Sequence, residues 1–474
     1  MLKKMKRITI YFLTAIVMFT GFSCEDALDI NTDPLAATSA DPNAVLPYVF
    51  VQYSNRKVTE LGSRIPDVSQ YFSDTFNSPK NGTTSIFLTG NTWGMMYGLI
   101  MGNLALVRAD AVVAGPTSNN IAAIATSMEA LIYLELTSIW EDVPFSEAIN
   151  GQEFPLPAFD TQEAVLRGVV GKCDEAIDLI DTRATEGLFN VSSGDLIYGG
   201  NMDSWRRFAN SLKIRALMML RNKDTSVDAQ LTTALGQPVI ENNSQAMLLE
   251  YSNAPGGFHG LQNLIEAFFG SDNESNDVFG PGPPLYDLLV PTGDPRADVM
   301  IARNTLPDPG IDVFPTPTTA VLSNNVIRRD LPDIWMLPAE IDFYKAELAL
   351  KGVAGAGDAT TNYANGLNNI MNFWGGDVPG ATATIAQADI DAFIAAAGTP
   401  TLEDVYNQEY LAAFLHPILA WNHVRRNKIP VLETPPNSNI STYLKRFNYP
   451  PAEVAANPNT PVNKLTDAPM WFEN

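Results

Sequence analysis

Apolar residues recur every three or four positions along much of the chain, which is the period of a helix with one buried face. The clearest case lies in residues 160–182, where Asp160 and Glu163 predict a capping pair at the start of a helix. Its apolar stripe contains Leu166, Val169, Val170, Cys173, Ile177 and Ile180. Because Cys173 lies on this stripe, we interpret it as a small buried hydrophobic residue and not as a reactive thiol.

The same pattern predicts further helices. They occupy residues 121–140, 203–221, 358–374 and 401–424, and a segment that opens at Pro338 and stops at Gly352. Asp203 is the predicted cap of the helix over 203–221. Alternating strands are scarce, and residues 86–89 and 245–251 are the candidates for short ones.

Long irregular segments separate the predicted helices. Residues 252–284, 303–338 and 427–470 are rich in Gly, Pro, Asn or Ser. Loops of this length are either functional or packed as coil over helices, and the sequence leaves both readings open. The 34-residue period of tetratricopeptide units is not evident by eye.

The N-terminus has the order of a secretory signal. A cluster of basic residues precedes an apolar stretch over residues 8–22, and Cys24 follows closely with Glu25 and Asp26 behind it. This order resembles a bacterial lipobox followed by the acidic export signal of surface lipoproteins. We therefore predict that residues 1–23 are removed and that acylated Cys24 anchors the protein in the outer membrane, exposed at the cell surface. The alternative is an N-terminal anchor that is never cleaved. No later stretch is expected to cross a bilayer.

The charge of the chain argues against nucleic acid as a partner, and its cysteine content argues against a fold held by disulfides. The chain has 53 acidic and 30 basic residues, a net charge of -23, and such a chain repels the phosphates of nucleic acids. Solubility accounts for this charge better than a cationic ligand does. If Cys24 is lipidated, Cys173 has no partner for a disulfide, so the fold depends on its core.

The sequence offers no clear catalytic or metal-binding motif. Its histidines, His259, His416 and His423, do not form zinc-ligand spacings with cysteines. A calcium loop that could begin at Asp29 fails because its sixth position is Pro34 and not glycine. We therefore expect no metal, no cofactor and no enzymatic activity.

Distinct sequence blocks follow one another from one end of the mature chain to the other. They are Asp29–Pro34, Trp140–Ala148, Phe159–Glu163, Asp195–Met202, Asn210–Arg215, Asp294–Arg296, Ala346–Gly352 and Lys445–Pro450. In order and spacing these blocks resemble the SusD/RagB family of nutrient-binding outer-membrane lipoproteins, in particular its second SusD-like group. One departure is the final aromatic pair, Trp471–Phe472, where the family tends to have two tryptophans.

The resemblance implies a fold and a role. It implies one all-α domain over residues 24–474, with about four helix-turn-helix pairs of tetratricopeptide type, additional helices, long irregular loops and few short strands. It also implies a lid over a SusC-like TonB-dependent β-barrel transporter, which captures oligosaccharide or, as in RagB-like proteins, peptide. A lipid-anchored glycosidase and an adhesive surface protein remain the alternatives from other function classes.

Aromatic residues in predicted loops are the candidates for ligand contacts. A ring can cover the flat apolar face of a sugar, while a neighbouring amide or charged group bonds its hydroxyls. The candidate ligand-binding residues are Tyr71, Phe76, Asn77, Trp93, Phe279 and Trp335. For Trp93, packing in a core is an equally good interpretation. Relatives place ligand aromatics in the same two regions, but at varying positions, so no residue carries over.

Overall fold

Helices dominate the computed structural model, which describes residues 41–61, 68–74, 86–180, 191–269, 279–303, 320–434 and 440–473. Residues 41–474 belong to one compact unit. The predicted signal segment and Cys24 lie outside the described residues. The lipid anchor therefore stays a prediction.

The N-terminal half contains eight α-helices in the described residues. They are α1 Pro42–Asn55, α2 Ile86–Gly94, α3 Gly102–Ala114, α4 Asn119–Trp140, α5 Gln162–Leu179, α6 Val191–Gly194, α7 Met202–Arg221 and α8 Asp228–Leu235. Two π-helical segments extend them, Arg56–Leu61 after α1 and Met95–Met101 between α2 and α3.

The C-terminal half adds shorter helices to the described residues. They are α9 Gly260–Phe269, α10 Pro283–Leu289, α11 Ala297–Met300, α12 Pro338–Leu350, α13 Ala359–Asn372, α14 Gln387–Ala397, α15 Leu402–Ala412, α16 Pro417–Asn427 and α17 Pro451–Ala456. The predicted helix from Pro338 to Gly352 is confirmed as α12, and the helix predicted over 358–374 as α13 with a short π-helical end.

Helices pack in neighbouring pairs, as the resemblance implied. Helix α3 packs on α4, α5 packs between α4 and α7, α12 packs on α13, and α15 packs on α16. Helix α12 also contacts α15, which links the last two pairs. The predicted all-α fold of tetratricopeptide type is confirmed.

Six short strands form three separate two-stranded antiparallel sheets in the described residues. They are β1 Phe72–Asp74 with β3 Phe279–Pro281, β2 Met247–Leu249 with β6 Asp333–Met336, and β4 Ile301–Arg303 with β5 Ala320–Leu322. Strand β2 confirms the strand predicted within 245–251. The strand predicted at 86–89 is wrong, because these residues open helix α2. A short apolar run does not distinguish the two structures.

The predicted helix caps are also wrong in detail. Helix α5 is capped by the Thr161 side chain, which accepts the Ala164 N–H, while the Asp160 carboxylate is held by the backbone N–H groups of Phe145 and Ser146. Helix α7 is capped two residues earlier than predicted, by Asn201. Both caps remain short polar side chains, as helix starts require.

The single helix predicted over 401–424 is in fact two, α15 and α16. Leu415 between them adopts a left-handed conformation with φ of 61°. Pro417 lacks a backbone N–H and restricts the residue before it, so the chain breaks here and a new helix starts. Thr401 and Asp404 form a full capping box at the start of α15.

Two helical stretches have the length and hydropathy of a membrane span, contrary to the sequence prediction. They are Thr89–Ala114 and Pro116–Trp140. The second is entirely buried inside the protein, so core packing accounts for its apolar composition. The first is mostly not buried and forms a wall of the clefts described below.

Candidate functional site

Tyr71 and Phe279 lie in a buried aromatic cluster. The Tyr71 ring stacks on the Tyr410 ring, with 4.2 Å between centroids, and its hydroxyl donates to the Tyr410 carbonyl. Phe279 packs on Phe72 across the β1–β3 pair. Tyr71 is 1% exposed and Phe279 2% exposed. Neither ring presents a face to a ligand in this structure, and packing accounts for both.

Trp335 is also in the core. Its ring meets Tyr53 edge to face at 4.8 Å, and its Nε1 donates to Asp333 at 2.5 Å. Asp333 in turn accepts from Lys57 Nζ at 2.6 Å, so the ring belongs to a buried polar network. These contacts are those of a core residue, and they do not support the predicted ligand role of Trp335.

Phe76 and Asn77 lie outside the described residues. The strands nearest to them are informative, because Asp74 at the end of β1 pairs with Phe279 at the start of β3. This pairing is between described residues only, Phe72–Asp74 and Phe279–Pro281. Their role in binding stays a prediction.

Trp93 lies in the wall of a surface cleft. The cleft has a volume of about 330 Å³ and is lined by Trp93, Tyr97, Phe154, Leu156, Glu453 and Asn457, among others. Trp93 is itself tightly packed, stacked on Phe159 and edge to face with Trp140. The Trp93 ring is therefore held firmly in the cleft wall. Leu156, which also lines the cleft, is 47% exposed.

Hydrogen bonds fix the walls of this cleft. The Asp160 carboxylate accepts from the backbone N–H groups of Phe145 and Ser146, and the Glu147 carboxylate accepts from the Ala158 N–H. The Asn457 amide donates to the Pro157 carbonyl at 2.9 Å, which ties the C-terminal segment to the same loop. A cleft held in this way is formed before a ligand arrives, which lowers the entropic cost of binding.

Tyr97 contributes a polar group beneath the cleft. Its hydroxyl donates to the Pro144 carbonyl at 2.8 Å. Burial raises the pKa of Tyr97 well above its usual value, so the hydroxyl keeps its proton. The cleft thus combines aromatic and aliphatic surface with the polar side chains of Glu453 and Asn457 at its edge. This combination suits a ligand with an apolar face and polar edges.

The histidines have structural roles. Burial lowers the pKa of His259 to about 4 and that of His423 to about 3, and it lowers the pKa of His416 as well. His423 is hydrogen-bonded to the Tyr344 hydroxyl and the Glu409 carbonyl, and His416 to the Trp335 carbonyl. In the described part of the chain, no group of three or more His, Cys, Asp or Glu side chains could hold a metal ion.

Sequence reasoning missed most of the cleft wall. The loop around Phe154 and the C-terminal residues Glu453 and Asn457 were not predicted as site residues. A signal was present in two of the blocks that carry the family resemblance: Pro144 and Ala148 of Trp140–Ala148 line the cleft, and Tyr449 of Lys445–Pro450 packs on Trp93. These two blocks are far apart in sequence but lie close together in the fold.

Comparison with known proteins agrees with this architecture of paired helices. Residues 35–450 match the second SusD-like family, described as "Starch-binding associating with outer membrane". The chain belongs to this family. Family and fold support a starch- or glycan-binding protein associated with the outer membrane, and members of this family are binding proteins. No curated protein matches the sequence.

Solved structures share the fold. A Bacteroidetes SusD-like protein is 20% identical with a TM-score of 0.76, covering 92% of this chain and 100% of its own. A chitin-binding protein is 20% identical with a TM-score of 0.76, covering 91% and 100%. A SusD/RagB family protein from Bacteroides thetaiotaomicron is 19% identical with a TM-score of 0.73, covering 92% and 99%. At these identities the likeness shows the fold alone.

Proposed function

We propose that this protein captures oligosaccharides at the cell surface and acts as the lid of a SusC-like TonB-dependent transporter in the outer membrane. The observation that carries this proposal is the family match over residues 35–450. The helical scaffold and its preformed aromatic cleft support it, because a capture protein needs a rigid surface with rings and polar edges.

Anchoring through acylated Cys24 completes the proposed role. A lipid-anchored lid can stay close to its barrel without spanning the membrane. Glycan is favoured over peptide because the family is described as starch-binding, and because one similar structure is a chitin-binding protein. The binding test therefore includes short peptides as well as oligosaccharides.

Calorimetry on the purified mature protein tests this function. Starch-derived and chitin-derived oligosaccharides and a panel of short peptides would be titrated separately, and the products analysed by mass spectrometry. We expect saturable binding of at least one oligosaccharide and no shortened product. Binding of peptides alone would favour a RagB-like role, and turnover of the oligosaccharide would establish an enzyme instead.

Cleft residues can be tested by a matched pair of variants. Phe154 lines the cleft, whereas Val431 is 82% exposed and is not among its lining residues. We expect Phe154→Ala to weaken oligosaccharide binding by about tenfold, since loss of a buried aromatic contact costs about 1 kcal/mol or more. Val431→Ala should leave the affinity unchanged. Equal affinities of both variants and the wild type would place the ligand elsewhere.

A further inference from the structure

A second cleft adjoins the Trp93 cleft. It has a volume of about 490 Å³ and lies between helices α3, α4 and α5, with Arg108, Glu129, Tyr133, Lys172 and Glu175 in its lining. Ala148 and Ile149 line both clefts. The two clefts therefore share one wall, the loop after Pro144.

One continuous helical wall runs along both clefts. Tyr97 and Gly98 line the first cleft, and Met101, Ala105 and Arg108 line the second. From Tyr97 to Arg108 a helix rises by about 16 Å, which is enough for a chain of several sugar units and too long for a single one. The π-helical segment Met95–Met101 lies at the junction, and such segments occur frequently at functional sites.

Ile149 at the junction has a strained backbone. Its φ is 59°, in the left-handed region that β-branched residues rarely adopt, and its side chain is 39% exposed. Such strain costs on the order of 1–3 kcal/mol and clusters at ligand sites, where the surroundings enforce it. Hydrogen bonds constrain the loop on the N-terminal side of Ile149, because Asp160 accepts from the Ser146 N–H and Glu147 accepts from the Ala158 N–H.

The charges in the second cleft are paired with one another. Glu129, whose side chain is 3% exposed, binds Lys172 Nζ at 2.6 Å and Arg108 Nε at 3.2 Å. Arg108 also lies 3.7 Å from Glu175. The cations of the cleft are thus neutralised, and Glu453 adds a negative charge to the first cleft. An anionic ligand finds no unpaired cation in these described residues, whereas hydroxyl groups can both donate to and accept from such oriented pairs.

We infer that the two clefts form one groove for an extended, uncharged oligosaccharide chain. Aromatic and aliphatic surface around Tyr97 and Phe154 covers the apolar faces of some units, and the Arg108–Glu129–Lys172 network bonds the hydroxyls of others. This inference rests on the proposed function, because it takes the ligand to be a glycan. It specifies where the glycan binds, that the glycan has several sugar units, and that it is uncharged.

Glycines in the groove allow it to be blocked without disturbing the fold. A Cβ added at Gly98 in the first cleft or at Gly171 in the second would have no atom within 4 Å. Gly94 is equally open and lies at the end of helix α2, one turn before the stretch from Tyr97 to Arg108 that lines the clefts; it lines neither cleft, so it provides the control. Leucine favours helix more than glycine does, so the three variants should melt no lower than the wild type.

The decisive experiment is calorimetric titration of the mature protein and its Gly98→Leu, Gly171→Leu and Gly94→Leu variants with maltohexaose, chitohexaose and the acidic hexagalacturonate. We expect a neutral hexamer to bind, each groove variant to weaken it by about tenfold or more, and Gly94→Leu to match the wild type. Hexagalacturonate should not bind.

Other results would overturn the inference in distinguishable ways. Unchanged binding in both groove variants would place the glycan elsewhere and leave the proposed function standing. Weakening by Gly98→Leu alone would confine the ligand to the first cleft and refute the continuous groove. Tight binding of hexagalacturonate would refute the inference that the ligand is uncharged. If the wild type bound no glycan, the proposed function would fail together with the groove.

Discussion

Glu135 lies in the C-terminal part of helix α4, and it is 2% exposed. Burial raises the pKa of this carboxyl to about 7, against the opposing effect of the nearby Lys57 charge. The folded protein therefore holds a proton on Glu135 that an unfolded chain releases near its ordinary value of 4.5. Proton binding and folding are coupled at this residue.

The coupling predicts a pH dependence of stability. Because the folded pKa is raised, the contribution of Glu135 is fully present below about pH 4.5 and is lost as the pH rises to about 7. We expect Glu135→Gln to raise the free energy of unfolding at pH 8 by on the order of 3 kcal/mol, since glutamine cannot ionise. Urea unfolding at pH 5, 6, 7 and 8 would measure the difference from the wild type.

A matched control isolates this effect. Glu175 has a side chain that is 47% exposed, so Glu175→Gln should change the free energy of unfolding by less than about 1 kcal/mol. The low pKa values of His259 and His423 weaken the fold in acid, but these residues are common to all three proteins and cancel in the comparison. Parallel curves for Glu135→Gln and the wild type would refute the prediction.

Lys57 provides a second prediction, about a buried ion pair. Its ammonium donates to Asp333 at 2.6 Å and to the Ile334 carbonyl, and both charged side chains are fully buried. Lys57→Met leaves the Asp333 carboxylate without its cation, and we expect a loss of about 3–5 kcal/mol in the free energy of unfolding. The exposed pair of Arg167 and Glu163 is the comparison, where Arg167→Met should cost less than about 1 kcal/mol. Similar losses in both variants would contradict this account.

Residue type alone could not separate core aromatics from ligand aromatics. Tyr71 precedes a segment that the sequence marks as a loop, but Tyr410, 339 positions away, covers its ring. Trp335 is likewise covered by Tyr53. Such long-range packing is not encoded in local periodicity, so only the helical stripes, such as the one containing Cys173, were correctly predicted as buried.

At the scale of elements, close approach of paired helices makes specific demands on glycine. Gly366 of α13 faces Phe343 of α12, and a Cβ added there would lie 2.5 Å from the ring. Phe343 is fully buried, so its ring has little space to move into. We expect Gly366→Ala to lower the free energy of unfolding by about 1–3 kcal/mol through overpacking, although alanine favours helix.

Gly171 of α5 is the matched control for this prediction. No atom lies within 4 Å of a Cβ added there, so Gly171→Ala should raise the free energy of unfolding by about 0.5–1 kcal/mol. Thermal and urea unfolding of both variants would measure the opposite signs. Stabilisation by Gly366→Ala would show that the α12–α13 pair can separate at little cost.

Helices were predicted well because their apolar period is local, and their ends less well because caps depend on neighbours. Asp160 had the right chemistry for a cap, but its carboxylate holds the loop at Phe145 and Ser146, which leaves Thr161 to cap α5. Pro417 indicated a break between α15 and α16, but the apolar stripe continues across it and predicted a single helix.

At the scale of the whole molecule, the clefts join parts of the chain that are distant in sequence. The helical wall near Trp93, the loop around Phe154 and the C-terminal residues near Glu453 meet at one place. The family resemblance predicted the paired-helix scaffold that brings them together, but no local pattern predicted which loops would form a wall. The fold was therefore more predictable than the site.

The last prediction concerns attachment to the membrane. If the apolar segment 8–22 is a lipoprotein signal, Cys24 carries acyl chains, and more than one chain makes a stable anchor at about 0.8 kcal/mol per buried methylene. We expect the wild type to enter the detergent phase on Triton X-114 partition with the intact mass of a cleaved, acylated chain, and Cys24→Ala to lose acylation and this cleavage. Cys173→Ala, at a fully buried thiol, should behave like the wild type. A wild type that keeps residues 1–23 and partitions like Cys24→Ala would establish an uncleaved N-terminal anchor, and the lipid would then have no part in holding the lid near its transporter.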